Sequence, residues 1–246
     1  MNPLIKRTLK RSGQLLGLDV RMYIPQPEHE LSTLLALYKV DTIFDAGANV
    51  GMSAQYFRNL GFKQKIVSFE PVSHFYRVLE QRAANDPLWF CENVAVGDFE
   101  GESEINVSGT SGGASSFLEM TDVLKEHAPE LGYTGTEKVR VTTIDSVIDR
   151  YYPQGDRLFL KLDVQGYEKK VLAGAHNSLP RVVGLKIEMS IVETYENEIL
   201  IYEMLPYLYS LGFRLMGIEA AWSNRVTQEV YQVDGFLFRA DSLTRV

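Results

Sequence analysis

Beyond about residue 40, hydrophobic and polar positions along the chain alternate between two rhythms. Short apolar runs of strand length fall at 42–45, 65–70, 89–96, 157–163, 182–189, 213–218 and 230–238. Stretches with helical spacing lie between most of them, at 53–60, 73–84, 166–175 and 196–211, with Gly61 and Gly174 as the C-terminal stops of the first and third. Strands that alternate with amphipathic helices predict an α/β fold built on a doubly wound, mostly parallel sheet. Residues 1–40 read as an N-terminal helical appendage and 41–246 as one domain. The rhythm breaks over 97–141, where GDFEGESEINVSGTSGGASSF carries the alternation Glu104-Ile105-Asn106-Val107 and then a Gly/Ser-rich turn. This reads as an inserted hairpin and loop after the third strand, the kind of long loop that usually has a function. KVRVTTID, 138–145, reads as a further strand leading into a helix.

Composition narrows the classes. At 246 residues, 45% hydrophobic and 23% charged, the chain is long enough for one sizeable core. A net charge of −7 argues against a general nucleic-acid surface, which needs clustered Lys and Arg. No apolar run is long enough to span a bilayer and the start, MNPLIKRTLKRSG, lacks the features of a secretory signal, so a cytoplasmic protein is expected. Cys91 is the only cysteine, which allows no internal disulfide and reads as a small buried hydrophobe. Lys6, Arg7, Lys10 and Arg11 are interleaved with leucines. They suggest a terminal helix packing on the domain, with weak contact of residues 1–18 with an anionic membrane surface as the alternative.

IFDAGANVG, 43–51, is where a strand breaks into a glycine-bearing turn. In an open parallel sheet the end of the first strand borders the ligand crevice, and Gly47 and Gly51 would let the backbone approach a ligand while the next helix points free N–H groups at it. The second strand ends in Glu70, followed by Pro71, about 20 residues past the turn, where an acid can accept hydrogen bonds from both hydroxyls of a ribose. A nucleoside-bearing cofactor fits this pair. The dinucleotide fingerprint fails, because Asn49 stands where its second glycine would admit the phosphates, and Asp45 would repel them. S-adenosylmethionine offers adenine, a ribose diol and a cationic amino acid without phosphate, which suits an acid at each of two strand ends.

The order and spacing of FDAGANVG, SFEP, NVAVGD, TTID, KLDVQGYEKKVLAG and KIEMS resemble the FkbM family of S-adenosylmethionine-dependent methyltransferases over 41–238. The resemblance implies the class I methyltransferase, Rossmann-like architecture, a seven-stranded sheet whose last strand is antiparallel, with GFLF at 235–238 as the candidate. It also implies that Asp45, Gly47, Ala48, Asn49 and Gly51 border the methionine end of the cofactor, that Glu70 holds the ribose, and that Pro71, Val72, Asn93 and Val94 border the adenine. Many members carry Glu where this chain has Gln165, a departure that removes an acid from the site.

Asp163 ends a central strand beside the glycine turn and is the candidate catalytic residue, orienting or deprotonating an acceptor hydroxyl; capping the following helix is the structural alternative. Glu188, Ser115, Ser116 and His74 are candidates for the substrate side, the two serines in a loop whose Gly112 and Gly113 suit a flap. Glu168 and Asp145 read first as helix-end acids. The four histidines are too scattered to propose a metal. The expected activity is O-methylation of a sugar, glycan or natural-product hydroxyl. A non-catalytic cofactor-binding partner subunit and a dinucleotide-dependent oxidoreductase are the alternatives.

Overall fold

The computed structural model describes residues 27–109, 113–155, 157–224 and 226–242. The basic start of the chain, with its proposed terminal helix, lies outside the described residues. The elements are α1 (Pro27–Leu37), β1 (Thr42–Ala46), α2 (Met52–Asn59), β2 (Lys65–Phe69), α3 (Ser73–Ala83), β3 (Trp89–Glu92), β4 (Ala95–Val96), β5 (Gly101–Ser108), α4 (Asp122–His127), β6 (Tyr133–Thr142), α5 (Ile144–Tyr151), β7 (Leu158–Leu162), α6 (Glu168–Ala173), β8 (Val182–Ser190), α7 (Ile201–Ser210), β9 (Phe213–Ser223) and β10 (Val230–Arg239).

Seven strands form one sheet in the order β3-β2-β1-β7-β8-β10-β9. β3, β2, β1, β7 and β8 run parallel to one another, and β10 is antiparallel to both of its neighbours. The antiparallel strand contains 235–238, as the family resemblance implied. This is the class I, Rossmann-like arrangement, whose strand order reverses beside β1. Every residue of β1 and of β7 is buried, as expected of central parallel strands covered on both faces. Alternation then divides the core. Phe44, Ala46, Leu158, Leu160 and Leu162 pack on one side, with Val171, Leu172 and Leu208; Ile43 and Phe159 pack on the other, with Phe57, Leu79 and Phe238. Leu31, Leu35 and Tyr38, from α1 and just after it, join this second cluster.

The inserted region builds a separate three-stranded sheet, β4-β6-β5, in which β5 and β6 form the expected hairpin. Ile105, Val139 and Val141 pack it against Val72 and Phe75 at the start of α3. It also contains α4, a short helix that the sequence pattern did not reveal.

Among the boundaries that differ from expectation, four have an identifiable reason. The strand expected over 89–96 breaks into β3 and β4, which lie in different sheets. Between them Asn93 Nδ2 donates to the carbonyls of Glu70 and Pro71, turning the chain away from the larger sheet. The helix expected from residue 166 begins at Glu168, because Gln165 (φ 55) and Gly166 (φ 89) hold left-handed conformations. The helix expected from 196 starts at Ile201, since the Glu198 carboxylate accepts from the backbone N–H groups of Thr194 and Tyr195 and shapes a turn instead. β9 runs on to Ser223 because β10 pairs with it that far.

Candidate functional site

The turn after β1 is held by the strand beside it. The N–H groups of Gly47 and Ala48 both donate to the carbonyl of Phe69, at 3.1 and 3.0 Å. Gly47 has φ 72, and a Cβ there would stand 1.8 Å from the Asp163 carbonyl oxygen, so glycine is what allows the β1 and β7 turns to touch. Asn49 is also left-handed, φ 49, which turns its N–H onto Glu70 Oε2 at 2.7 Å. Glu70 Oε1 accepts from Val72 N–H at 2.9 Å. Burial pushes the Glu70 carboxyl up to about 7, with the two N–H donors and the Lys161 ammonium opposing the shift. Gly51, φ 86, opens α2 and is packed against Leu79 and Trp89.

Asp45 does not line the pocket. It is wholly buried, in register with Ser68 of β2 and Lys161 of β7. Ser68 Oγ donates to Asp45 Oδ2 at 3.1 Å, and Lys161 Nζ lies 3.1 Å from Oδ1. Lys161 Nζ also donates to the carbonyls of Ala46 and Gly47, at 3.3 and 2.8 Å, and lies 3.6 Å from Asp163 Oδ2. Burial alone would lower the lysine, but the Asp45 and Asp163 carboxylates prevail and raise it. Reading the motifs separately missed Lys161. The available signal was one acid and one base, each inside an otherwise apolar central strand (TIFDA and LFLKL), since such charges are rarely buried unless paired.

Beyond β7, Asp163 stands five positions ahead of α6 and caps nothing there; it accepts from Gln165 Nε2 at 2.6 Å. Gln165 Nε2 also donates to Glu188 Oε2 at 3.0 Å, and its Oε1 accepts from the buried Tyr195 hydroxyl at 2.6 Å. Burial raises the Glu188 carboxyl well above the usual range, with Asp163, Glu168 and Asp234 adding to the shift. Glu168 is buried at the start of α6, accepts from Val164 N–H at 2.8 Å and is pushed up to about 8 by desolvation. Asp145 is not the cap of α5. Thr143 accepts from Ser146 N–H there, and the Asp145 carboxylate pins the turn at Asn177 and Ser178.

These pieces meet in one cavity at the ends of β1, β2 and β7. Its lining comprises Gly47, Asn49, Glu70 and Pro71 at the ends of β1 and β2, Ala95 and Val96 of β4, and Asp163, Val164, Gln165 and Tyr167 after β7. The insertion covers it with Ile105, Gly113, Ser115, Ser116 and Phe117, and the Phe117 and Tyr167 rings lie 5.1 Å apart. Ser116 Oγ donates to the Gln165 carbonyl at 2.6 Å, and Ser115 Oγ accepts from Ser108 N–H at 3.1 Å, so both serines also anchor the loop. Ala48, Gly51, Val72, Asn93 and Val94 are not part of this lining, Val72 facing a separate groove, and Glu188 meets the lining only through Gln165. His74 is exposed and faces a different, more open groove beside Tyr133 and Glu137. Cys91 is half-buried, its thiol pushed up to about 12 by burial. Among the described residues no group of three or more His, Cys, Asp and Glu side chains is arranged to hold a metal ion, and no helix is long and apolar enough to cross a membrane.

Comparison with known proteins gives a family match and several distant likenesses. The methyltransferase FkbM domain matches residues 45–215. Methyltransferase sdnD of Sordaria araneosa is 28% identical over 205 residues, 74% of this chain and 76% of that protein. Among solved structures, an rRNA methylase from Streptococcus thermophilus is similar at 13% identity and a TM-score of 0.47, over 89% of this chain and 99% of that one. The 1,6-didemethyltoxoflavin-N1-methyltransferase of Burkholderia thailandensis is similar at 10% identity and a TM-score of 0.44, over 87% and 77%.

Proposed function

Because the chain belongs to the FkbM methyltransferase family, we propose that it methylates a hydroxyl group of a sugar, glycan or natural-product acceptor, with Asp163 facing that hydroxyl. It is a methyltransferase and its cofactor is S-adenosylmethionine, which removes the dinucleotide oxidoreductase alternative. The observation that carries the proposal is that Glu70, Asp163, Ser115 and Ser116 line one cavity.

The lining suits this cofactor. Its two charged residues are Glu70 and Asp163, both carboxylates, and S-adenosylmethionine is cationic at sulfur and nitrogen with no phosphate to repel. Each oxygen of Glu70 accepts one backbone N–H, which leaves lone pairs for the two ribose hydroxyls. Pro71, Ala95, Val96, Ile105 and Phe117 provide an apolar surface for a flat base. When bound, the cofactor supplies an electrophilic methyl group on a sulfonium, open to in-line displacement.

The protein's part is alignment, which can contribute ~7–11 kcal/mol, and handling of the hydroxyl proton, typically ~10²–10⁴-fold. Asp163 accepts the hydrogen bond of the acceptor O–H and orients its lone pair; as the new C–O bond forms, the proton becomes acidic enough to leave to Asp163 or to water. Asp45 acts through Lys161, whose ammonium holds the Gly47 carbonyl and the Asp163 carboxylate in one frame. We place the reaction in the cytoplasm, in keeping with the single cysteine.

Calorimetric titration with S-adenosylhomocysteine, with NAD as the comparison ligand, is the first test: the former is expected to bind and the latter not. Glu70→Ala is expected to weaken S-adenosylhomocysteine, and unchanged affinity would remove the ribose assignment. Asp163→Asn is expected to keep cofactor affinity and lower turnover on an identified hydroxyl acceptor by about 10²-fold or more. Full turnover by that variant would exclude a catalytic role.

A further inference from the structure

Among the described residues, Gln165 is the side chain that hydrogen-bonds to both acids, Asp163 and Glu188. Its left-handed backbone and that of Gly166 fold the chain back over the end of β7, and its own carbonyl is tied to Ser116 Oγ of the insertion at 2.6 Å. From there Nε2 donates to Asp163 Oδ1 at 2.6 Å and to Glu188 Oε2 at 3.0 Å. Tyr195 decides which end of the amide faces the acids, because its O–H donates to Oε1 at 2.6 Å and so leaves the NH₂ for the carboxylates. Tyr195 is itself fixed: it is wholly buried, and its N–H donates to Glu198 at 3.0 Å.

Two carboxylates brought to one point ordinarily share a proton, since like charges at that range resist ionising together. The cations nearby are shared with other acids. Lys186 on β8 lies 2.5 Å from Asp234 on β10, and Lys161 on β7 lies between Asp45, at 3.1 Å, and Asp163, at 3.6 Å. Glu168 on α6 and Asp234 on β10 add negative charge toward Glu188, while Glu198 before α7 faces Glu168 and Tyr195. A primary amide resolves the conflict, with one N–H for each acid and no proton to lose in the physiological range.

We propose that Gln165 is a positioning residue: its amide, oriented by Tyr195, gives one N–H to each acid and so holds Asp163 against Glu188 in the pocket wall. The consequence for catalysis rests on Asp163 facing the acceptor, but the clamp itself does not.

The test is the melting temperature of the full chain and of Gln165→Glu from about pH 5 to about pH 8, with S-adenosylhomocysteine calorimetry on the unmutated protein alongside. A Glu at 165 can take the place of one N–H only while protonated. Its folded-state pKa is therefore raised, and the stability it offers is present at low pH and lost as pH rises. The gap in melting temperature between variant and parent is expected to widen about twofold or more across that range. Adding Asp163→Asn to Gln165→Glu restores a donor between the acids and is expected to narrow the gap again. A gap that stays constant with pH overturns the clamp. Failure of the parent to bind S-adenosylhomocysteine overturns the methyltransferase-site reading instead. If Gln165→Glu does not fold at any pH, Gln165→Met carries the test. It removes both N–H groups, and its gap from the parent must widen in the same direction.

Discussion

Glu70 shows how far one side chain's environment can set the behaviour of a site. Buried against two backbone N–H donors, it is raised to about 7, from an ordinary carboxyl value of 4.5. A folded pKa above the unfolded one means that its contribution to stability is full below about 4.5 and is lost as pH rises toward about 7. Ligand binding has the opposite sign. In the proposed ribose site the hydroxyls would donate to the ionised carboxylate, so S-adenosylhomocysteine affinity is expected to rise as pH increases through about 7, with a proton released on binding just below it. Titration in two buffers of different ionisation enthalpy measures that proton, and Glu70→Gln is expected to abolish the dependence. A pH-independent affinity in the unmutated protein would take Glu70 out of the ribose site. Glu70 itself was legible from its place at a strand end after a glycine turn; its shift was not, because burial belongs to the assembled site.

At the scale of elements, three glycines that look alike in sequence do three different jobs. Gly61 closes α2 in a left-handed conformation, φ 89, with open space where a Cβ would point. Gly61→Ala is expected to cost about 1 kcal/mol, from backbone strain alone. Gly174 has an ordinary φ of −73, so it is not a left-handed stop; a Cβ there would meet the Gly97 carbonyl oxygen at 1.9 Å. Its substitution is expected to cost about 1–3 kcal/mol through overpacking between α6 and the start of the insertion. Gly47 combines both problems, and Gly47→Ala is expected to exceed either, at about 3 kcal/mol or more, and to weaken cofactor binding by parting the β1 and β7 turns. Urea unfolding of the three variants checks the order Gly61, Gly174, Gly47. The helix stops themselves were legible, whereas the close approaches at Gly174 and Gly47 involve segments distant in sequence and leave no local trace.

For the whole molecule, the site is a joint between two sheets. The parallel sheet presents Gly47, Glu70 and Asp163 at strand ends, while the smaller sheet carries Ile105 and the 113–117 loop across them. A ligand held between both parts favours the folded state of the whole domain. S-adenosylhomocysteine at about 100 times its Kd is expected to stabilise by ~2.7 kcal/mol, a rise in melting temperature of about 5–10 °C for a domain of this size. A scan with and without ligand measures it, and a shift confined to part of a split transition would show that the insertion unfolds separately.

The sequence by itself determined the alternation of strands and helices, the crevice at the end of β1, the acid after β2 and the family to which these belong. All of these depend on period, punctuation and short spacing, which the chain carries locally. Only the tertiary structure decided that Asp45 is spent on Lys161, that Gln165 joins Asp163 to Glu188, that Tyr167 and Phe117 meet over the pocket and that His74 faces elsewhere. Those pairings depend on strand register and on the path of the insertion. Register is settled by packing across the whole sheet, so residues more than a hundred positions apart, such as Asp45 and Lys161, become partners only when the sheet closes.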